Sequence, residues 1–352
     1  MNSLEKRVAK YFGRKYCVIT GSGTTSMNLF FRAIPNKGTV MFPAITCIQA
    51  INSAIFAKFK IAFSDVSIND YTMNFKNFKN ALNPKIKVVV PTHTFGHSSE
   101  IKKIADYCKK NNILVLEDAT QSLGGKIGNK KTGSFGDASV ISFGHSKIID
   151  CGNGGAILTD QKKLYLSMKK YYEKIPSKIK NYGKYLIEYR KNYYSIRDRI
   201  KNKYLFCNKI LKIQKKYKNL FIYKANKSIE KRISNKFKDI STVVKKRNFN
   251  HNLYKKNLKN QNIIIPKINS KSVSWRFTFL VKKNRDILIQ KIRKHKIDIS
   301  CWYPSLHYLK NYDKKKYKNS IKIDKGIVNL WTHQNMKEKI IKKNIKIINQ
   351  YL

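Results

Sequence analysis

The sequence predicts an α/β protein with a mostly parallel central sheet, helices on both faces of that sheet, and a smaller α+β domain at the carboxyl end. From residue 16 to about residue 160, short β-rich runs alternate with segments of helical period. Residues 161–262 are rich in Lys and Tyr at helical spacing, and strand-like segments return after residue 263. The chain has 352 residues, of which 42% are hydrophobic, which is enough for one large core and one smaller one.

Residues 1–160 are predicted to form the large domain that holds the central sheet. Six runs rich in β-branched or aromatic residues are predicted as strands: residues 39–44, 60–66, 86–95, 112–119, 137–144 and 154–160. The helix candidates between them include TTSMNLFFRAI, IQAINSAIFAKF and SEIKKIADYCKKN. This alternation indicates a parallel sheet that is covered on both faces.

The rest of the chain is predicted to form two units. Residues 161–262 form a basic helical connecting region, in which long solvated helices link the two domains. Residues 263–352 form the small domain. Its predicted strands lie in SVSWRFTFLV and IDISCWYP, with the helix RDILIQKIRKHK between them and the amphipathic helix NMKEKIIKKNIKIINQYL at the end.

The chain is strongly basic, since 74 Lys and Arg against 20 Asp and Glu give a formal net charge of +54. Such a charge favours polyanionic partners such as nucleic acid or an anionic membrane. Most of the basic residues are Lys, however, and the chain is also crowded with Asn, Ile and Tyr, as expected from AT-rich codons. Surfaces that bind phosphates or bases favour Arg. We therefore predict that nucleic acid is not a partner, while contact with an anionic membrane stays open.

The cysteine pattern and the amino-terminal segment bear on location. Six cysteines lie far apart, with no C-x-x-C pair and no Cys/His cluster at metal-ligand spacing, so no metal site is predicted and a reduced cytoplasm fits best. The amino-terminal segment has no apolar stretch of signal-peptide length, and no run of about 18 apolar residues occurs. Neither export nor membrane spanning is predicted.

Ligands of open α/β sheets bind outside the carboxyl ends of the strands, so residues just past each strand are the first candidates for a site. GSGTTS at residues 21–26 is a glycine turn before an apolar helix, where backbone N–H groups, the helix dipole and the hydroxyls of Thr24 and Thr25 would bind a phosphate. The turn matches neither a dinucleotide fingerprint nor a P-loop. The alternative is an ordinary turn in which Thr24 caps the helix.

Three further strand ends carry candidate side chains. LVLEDATQS delivers Glu117 and Asp118, where a carboxylate would hold a cationic ring nitrogen or cap the next helix. VVVPTHTFGH delivers His93, for which a structural role is the stronger interpretation. Ser142 and Lys147 follow the strand in DASVI. A lysine at a partly desolvated site has a lowered pKa and its neutral amine attacks carbonyls, whereas the alternative in so basic a chain is a solvated surface lysine.

Together these turns supply a phosphate cradle, a carboxylate and a lysine. Pyridoxal 5'-phosphate (PLP) needs all three, because its phosphate binds a helix N-terminus with hydroxyl donors, its pyridinium nitrogen pairs with a carboxylate, and its aldehyde reacts with a lysine amine. The conjunction is far more specific than any one of the turns, and it predicts PLP as the cofactor.

In these residues the chain resembles the DegT/DnrJ/StrS family of PLP-dependent aminotransferases, which act on nucleotide-linked keto-sugars. The resemblance begins at LEKRVAKYFGRKYCVITGSGTTSMNL and is nearly continuous over residues 88–160. KKRNFNHNLYKKNL, SWRFTFLV, CWYPSLH and IVNLWTHQNM resemble landmarks of the small domain. Asp118 precedes Lys147 by 29 residues and Ser142 precedes it by five, as in the family pattern. The resemblance implies the type I fold of PLP-dependent transferases.

The resemblance also implies a role for each site residue. Lys147 would bind the cofactor aldehyde as a Schiff base and, once released, would act as the general base and acid of the 1,3-proton shift. Asp118 would pair with the pyridinium nitrogen, and Gln121 would pack or hydrogen-bond near the 3'-oxygen. The phosphate would be held by Thr24, Thr25 and Ser142.

Several features depart from the family pattern. Cys47 stands where relatives have an aromatic residue that stacks on the cofactor ring. The chain starts abruptly at the equivalent of the first helix. An Asn-x-Arg motif that reaches the partner subunit's site in relatives is not recognisable within residues 165–240, where the Lys/Tyr-rich stretch stands instead. Substrate specificity therefore does not transfer from the resemblance.

The leading prediction is a cytoplasmic homodimer that aminates a nucleotide-linked keto-sugar, with glutamate as the amino donor, for surface-glycan or related biosynthesis. A dehydratase branch of the same family carries histidine in place of the lysine, and Lys147 argues against it although His145 is near. A third possibility is a degenerate relative that binds anionic membrane or nucleic acid through the basic helical region. The roles of His93, His145 and His307 stay open.

Overall fold

The structure is a computed structural model that describes residues 1–200, 202–310 and 314–352. Its largest element is a seven-stranded sheet in the order β1-β9-β8-β5-β4-β2-β3. The strands of this sheet are β1 (Tyr16–Thr20), β2 (Thr39–Pro43), β3 (Lys60–Ser64), β4 (Ile86–Val89), β5 (Leu114–Asp118), β8 (Ala138–Ser142) and β9 (Gly155–Thr159), and a short hairpin is formed by β6 (Lys126–Ile127) and β7 (Lys130–Lys131).

The strand pairing confirms a mostly parallel sheet. Strands β8, β5, β4, β2 and β3 pair in parallel, whereas β9 runs antiparallel to both of its neighbours, β1 and β8. As a result β1 points the same way as the parallel strands. The carboxyl ends of β1, β5 and β8 therefore meet at one edge of the sheet, which is where the candidate site lies.

The helices begin and end close to the predicted segments. In the large domain they are α1 (Ser3–Phe12), α2 (Gly23–Ala33), α3 (Ile48–Ile55), α4 (Phe75–Ala81) and α5 (Ile101–Lys110). The middle of the chain contains α6 (Lys162–Glu173), α7 (Tyr182–Arg199), α8 (Lys203–Lys216), α9 (Lys227–Phe237) and α10 (Ile240–Asn257). The last helices are α11 (Arg285–Lys294), α12 (Lys318–Gly326) and α13 (Glu338–Tyr351).

Strand β2 shows why the sheet is covered on both faces. Val40 and Phe42 pack in one hydrophobic cluster with residues of α2 and α3, whereas Met41 between them packs in another with residues of α4 and α5. Successive side chains of a strand point to opposite faces, so a strand that is apolar at every position must be covered twice. All five residues of β2 are buried, as the continuous apolar run predicts.

The small domain contains an antiparallel sheet in the order β10-β11-β13-β12, which is covered by α11 and α13. Its strands are β10 (Ile263–Ile264), β11 (Arg276–Val281), β12 (Ile299–Ser300) and β13 (Ile327–Trp331). The predicted strand in IDISCWYP is only two residues long, because residues 302–306 turn away to line a cavity. Strand β13, which pairs with both β11 and β12, was not predicted.

The Lys/Tyr-rich middle region is helical, as its spacing predicts, but the expectation of solvated connectors is wrong for α8, α9 and α10. Each of these helices buries three or more residues, including Ile210 of α8, Ile233 of α9 and Tyr254 of α10. They therefore pack against the rest of the protein. Within the described residues, no helix is long and apolar enough to cross a lipid bilayer. The division at residues 160 and 262 stays a prediction.

Candidate active site

Two cavities meet at Lys147. The first has a volume of about 340 Å³ and is lined by Thr24, Asp118 and Ser142 among others, and we call it the Thr24 cavity. The second has a volume of about 320 Å³ and is walled mainly by aromatic side chains around Arg276, and we call it the Arg276 cavity. Four residues line both cavities: Cys47, Gln49, His145 and Lys147. The Lys147 amine therefore has access to ligands in either space.

The Thr24 cavity is built at the carboxyl edge of the sheet. Thr24 follows β1, Asp118 ends β5, Ser142 ends β8, and Lys147 lies in the loop after β8. Because these strands point the same way, side chains that are far apart in sequence converge on one space. The structure thus brings together four of the six residues that the sequence suggests for a cofactor.

Helix α2 begins at this cavity. Its N-cap is Ser22, whose Oγ accepts a hydrogen bond from the Thr25 N–H at 3.0 Å, so the alternative with Thr24 as the cap is wrong. A Cβ on Gly23 would lie 3.1 Å from the Ser142 Cβ, so the first turn of the helix and the end of β8 nearly touch. The positive end of the α2 dipole and its first N–H groups therefore face a space that suits an anion.

Thr25 and Gln121 are adjacent to the cavity but are not among its lining residues. The buried Thr25 hydroxyl accepts a hydrogen bond from the Tyr223 N–H at 3.1 Å and lies 3.1 Å from the Phe221 carbonyl oxygen. Gln121 accepts a hydrogen bond from the Phe95 N–H at 2.8 Å, while its buried Nε2 has no partner among the described residues. Thr25 thus fixes the 221–223 segment against the turn, and Gln121 keeps an unused donor.

Strand β5 separates its two terminal carboxylates. Asp118 is buried at the cavity, where Oδ1 accepts the Thr120 N–H at 3.1 Å, and it forms no ion pair within the described residues. No helix follows β5 over residues 119–125, so the helix-capping alternative is wrong. Glu117 points to the other face and contacts His93 Nε2 at 2.9 Å. His93 Nδ1 accepts the Ser99 N–H at 3.0 Å, which gives His93 a structural role.

The loop that carries Lys147 is held from several sides. Ser146 has a φ of +67°, in the left-handed region, and its N–H donates to Asp150 Oδ2 at 2.7 Å. The Trp275 indole Nε1 donates to the Ser146 carbonyl at 2.6 Å, and Arg247 Nη2 donates to the Lys147 carbonyl at 3.1 Å. A backbone conformation that is costly in isolation is therefore imposed by residues of α10 and of the segment before β11.

The environment of Lys147 weakens the affinity of its amine for a proton. Burial lowers the pKa of Lys147 below its usual value, and the nearby Arg276 cation lowers it further, while Cys47 and Asp118 oppose this shift. The Nζ atom lies 5.2 Å from the centre of the Trp275 ring. Burial raises the pKa of the Cys47 thiol, although Lys147 opposes that shift. The pair therefore consists of a protonated thiol beside an amine that loses its proton more readily than a surface lysine.

The other two candidate histidines are not poised like Lys147. The His145 side chain is 78% exposed and lies 3.6 Å from Asp150, although the residue lines both cavities. His307 is buried, its Nδ1 contacts the Ser305 hydroxyl at 2.6 Å, and burial lowers its pKa to about 4. Among the described residues, no cluster of three or more His, Cys, Asp or Glu side chains is arranged to hold a metal ion.

The residues around the Arg276 cavity were missed as site residues. Besides Arg276 they include Trp275 and Tyr303 from the small domain, Tyr189 from α7 and Gln214 from α8. A signal for Arg276 existed, because it is a lone charge at the start of the apolar run SWRFTFLV. The helical contributors have no such signal, since their segment is Lys/Tyr-rich throughout.

The sequence profile of the DegT/DnrJ/EryC1/StrS aminotransferase family matches residues 1–202 and 232–349. The chain belongs to this family. The segment 203–231 that the profile leaves out contains α8 and the residues that contact Thr25. The unmatched segment therefore contributes lining residues to both cavities and contacts the α2 turn.

Individual relatives agree with this assignment. GDP-perosamine synthase of Caulobacter vibrioides is 30% identical over 167 residues, which is 47% of this chain and 45% of that protein. The chain thus spans about half the length of the curated relatives that it matches. Among solved structures, Helicobacter pylori PseC, an aminotransferase involved in pseudoaminic acid biosynthesis, has a TM-score of 0.80 at 18% identity, covering 99% of this chain and 90% of that one.

A solved dehydratase also shares the fold. E. coli GDP-4-keto-6-deoxy-D-mannose-3-dehydratase, with bound hydrated PLP, has a TM-score of 0.75 at 20% identity, covering 98% of this chain and 90% of that one. At these identities the solved structures establish the type I fold of PLP-dependent enzymes alone, which confirms the predicted fold class. The choice between amination and dehydration rests on the side chains at the site.

Proposed function

We propose that the chain is a PLP-dependent aminotransferase that converts a nucleotide-linked keto-sugar into an amino sugar, with glutamate as the amino donor, for surface-glycan or related biosynthesis. One observation carries the proposal. A lysine with a lowered pKa lies where two cavities meet, and the cavity on one side contains a helix N-terminus and a buried carboxylate. This arrangement suits a cofactor in the Thr24 cavity and a substrate in the Arg276 cavity.

The residues of the Thr24 cavity fit PLP. The start of α2, Thr24 and Ser142 would hold the phosphate, because the helix end and two hydroxyls offer donors to an anion. Asp118, a buried carboxylate without a cationic partner in the described chain, would pair with the protonated ring nitrogen. The unused Nε2 of Gln121 is a donor for the 3'-oxygen side. The predicted direct contact of Thr25 with the phosphate stays a prediction.

When bound, PLP supplies an aldehyde for amines and a ring that accepts electrons. The chain's own part falls on Lys147, whose neutral amine is the nucleophile that attaches the cofactor and the base that takes and returns a proton. Trp275 and Arg247 hold the Lys147 backbone in place, and the Asp118 side chain lines the same cavity. Aromatic side chains line the proposed substrate side.

Dehydration is the less favoured alternative, because the residue at the junction of the cavities is a lysine while His145 faces solvent. The alternative function, binding of an anionic surface through the basic helices, does not account for the buried Asp118 or for the Lys147 loop. We also propose that the enzyme is a homodimer in the cytoplasm. The homodimer is supported by exposed apolar side chains on α7 and α8, namely Tyr185, Ile187, Tyr204 and Leu205. If active protein sediments as a monomer, the homodimer is contradicted.

The proposal is tested by the absorbance spectrum of the purified protein with added PLP, before and after borohydride. A lysine-bound cofactor absorbs in the visible range, and borohydride fixes it so that it no longer dialyses away. We expect both effects in the wild type and in Lys163→Ala, which alters an exposed lysine of α6, and neither in Lys147→Ala. A wild-type protein without a visible band at saturating PLP would overturn the enzyme proposal.

A further inference from the structure

Arg276 occupies an unusual position at the substrate side of the site. It is the first residue of β11, and its cross-strand partner in β13 is Trp331. The guanidinium carbon lies 3.1 Å from the centre of the Trp331 ring and 5.1 Å from that of Trp275. Two indole rings thus lie within cation–π distance of the guanidinium, an arrangement that stabilises the cation.

The donors of the guanidinium are unused within the described residues. Arg276 is only 9% exposed and lines the Arg276 cavity, yet none of its five N–H donors makes a hydrogen bond or an ion pair within that part of the chain. The carboxylate of Asp298 attracts the Arg276 charge, but it is exposed and accepts the Trp331 Nε1–H at 2.5 Å. A buried charge whose donors stay unsatisfied is costly, so its retention calls for an anion that completes the site.

The other buried arginines of the described chain show what is missing. Arg14 donates to the Asp160 carboxylate at 2.8 Å, and Arg247 donates to the carbonyl oxygens of Trp275 and Lys147. Both therefore donate hydrogen bonds to the protein, although Arg247 Nε has no partner among the described residues. Arg276 differs from them because it lines a cavity and donates to no acceptor of the described protein.

The surroundings favour a singly charged anion. Among the described residues that line the Arg276 cavity, none is acidic, and the buried Thr46 hydroxyl has no partner there and can donate to an anion. The remaining wall is aromatic and aliphatic. The planar guanidinium of Arg276 can donate two parallel hydrogen bonds to the two oxygens of a carboxylate. The lowered pKa of the neighbouring Lys147 amine leaves less positive charge to balance the larger negative charge of a phosphate.

We propose that Arg276 is the anchor of a carboxylate-binding subsite in the Arg276 cavity, beside the Lys147 amine. If the proposed function is right, this carboxylate is part of a reactant and belongs either to the amino-acid donor or to an acidic sugar acceptor. The subsite would turn one end of that reactant toward Lys147 and fix the distance between the carboxylate and the reacting carbon. Arg276 acts here as a binding residue, distinct from the residues that hold the cofactor.

The chain carries its own reporter for this subsite. It contains three tryptophans, of which Trp275 and Trp331 stack on Arg276 and Trp302 lines the same cavity. A carboxylate that binds the guanidinium edge should change the fluorescence of these indoles. Glutarate, the dicarboxylate that resembles glutamate without its amine, probes the donor. Glucuronate probes the acidic sugar, and inorganic phosphate is the comparison anion. No amino donor is added in these titrations, so none of the three is converted and binding is read without turnover.

We expect a saturable fluorescence change with glutarate if the carboxylate comes from the donor, or with glucuronate if it comes from the acceptor. Arg276→Gln should weaken that binding by about 10- to 100-fold, because a charge-assisted hydrogen-bond pair is lost. Arg276→Lys should be intermediate, since it keeps the charge without the planar fork. Lys282→Gln, which removes an exposed charge beyond the other end of β11, should bind like the wild type.

Titration calorimetry on the same variants removes the dependence on indole brightness, and thermal melting confirms that each variant is folded. The proposal is overturned if neither carboxylate binds, if only phosphate binds, or if Arg276→Gln binds as tightly as the wild type. These results are independent of the cofactor test: a protein that fails to take up PLP but binds glutarate through Arg276 would refute the proposed function and keep the subsite.

Discussion

The two cavities that meet at Lys147 satisfy their polar groups in opposite ways. In the Thr24 cavity the side chains lie at strand ends and are held by backbone groups, as when Thr120 N–H donates to Asp118 and Gly144 N–H donates to Ser142. In the Arg276 cavity the Thr46 hydroxyl and Gln214 Oε1 have no partner in the described chain, and Arg276 makes no hydrogen bond or ion pair there, although Gln214 Nε2 donates to the Tyr189 hydroxyl at 3.0 Å. One cavity is built to be rigid, and the other is left open for a ligand to complete.

The segment 203–231, which the family profile leaves unmatched, contributes to both cavities. Leu220, Phe221 and Tyr223 line the Thr24 cavity, and Phe206, Ile210 and Gln214 line the Arg276 cavity. The contrast between the cavities therefore lies in how their polar groups are satisfied and not in how much of each wall the family profile matches.

The largest effect should follow from Asp118→Asn, which removes the charge of the Thr24 cavity without changing its shape. Because the carboxylate stabilises positive charge on the cofactor ring, we expect the transamination rate to fall by about 10²- to 10³-fold, a loss typical of removing one preorganised electrostatic group. The measurement is the rate at which glutamate converts the bound cofactor, followed by absorbance. Asp106→Asn, on the exposed face of α5, is the control. Equal rates in both variants would remove Asp118 from the site.

The rigidity of the Thr24 cavity is tested by Gly154→Ala. Gly154 lines this cavity with a φ of +110°, and an added Cβ would come within 2.8 Å of Ile233 Cδ1. We expect a loss of about 1–3 kcal/mol in the free energy of unfolding, measured with denaturant. Gly183→Ala near the start of α7, where a Cβ would meet nothing within 4 Å, should instead raise stability by about 0.4–1 kcal/mol. Similar values for the two variants would contradict a strained turn.

Trp275→Phe probes the link between the cavities, because it keeps an aromatic ring but deletes the donor to the Ser146 carbonyl. The loss of one hydrogen bond is worth about 0.5–1.5 kcal/mol, so we expect the half-reaction with glutamate to slow by up to about tenfold. Trp302→Phe is the matched control, since its indole N–H donates to no group in the described chain. If the control slows as much as Trp275→Phe, the indole donor has no positioning role.

The smallest effect concerns the cost of burying Lys147. Burial lowers the pKa of Lys147 in the folded state, so the unfolded chain binds the proton of this amine more tightly than the folded chain does. Below the lowered pKa, the folded wild type therefore holds a buried ammonium, which reduces its free energy of unfolding. Lys147→Met should therefore unfold less readily than the wild type near neutral pH. This advantage should shrink as the pH rises through the interval between the lowered pKa and the ordinary lysine pKa. Thermal melting over that interval is the measurement, and an advantage that grows with pH would contradict a lowered pKa.

The parts of the site that could be predicted are those that one stretch of chain carries by itself. Asp118, Ser142 and Lys147 follow buried apolar strands, and the rule that ligands bind at carboxyl strand ends places them together. Thr25 lines no part of the cavity, because successive helix residues point in different directions and Thr24 takes the cavity side.

The remaining features depend on pairings between distant segments. The stacking of Arg276 on Trp331 arises from the pairing of β11 with β13, a short run, Ile327–Trp331, that was not predicted as a strand. Likewise, the hydrogen bonds between Thr25 and residues 221–223 connect segments about two hundred residues apart. Periodicity and motif spacing describe local structure, so they predicted the sheet and its strand ends but not the walls that distant helices contribute.

Whether Lys147 is the residue that binds the cofactor is tested most directly by peptide mapping after borohydride reduction of the PLP-treated protein. The reduced pyridoxyl group is stable to proteolysis and adds a fixed mass to one lysine. We predict that the label lies on Lys147, in the peptide that contains SFGHSK, although the chain contains 74 Lys and Arg. A label distributed over surface lysines, or its absence from Lys147, would contradict the assignment of this site.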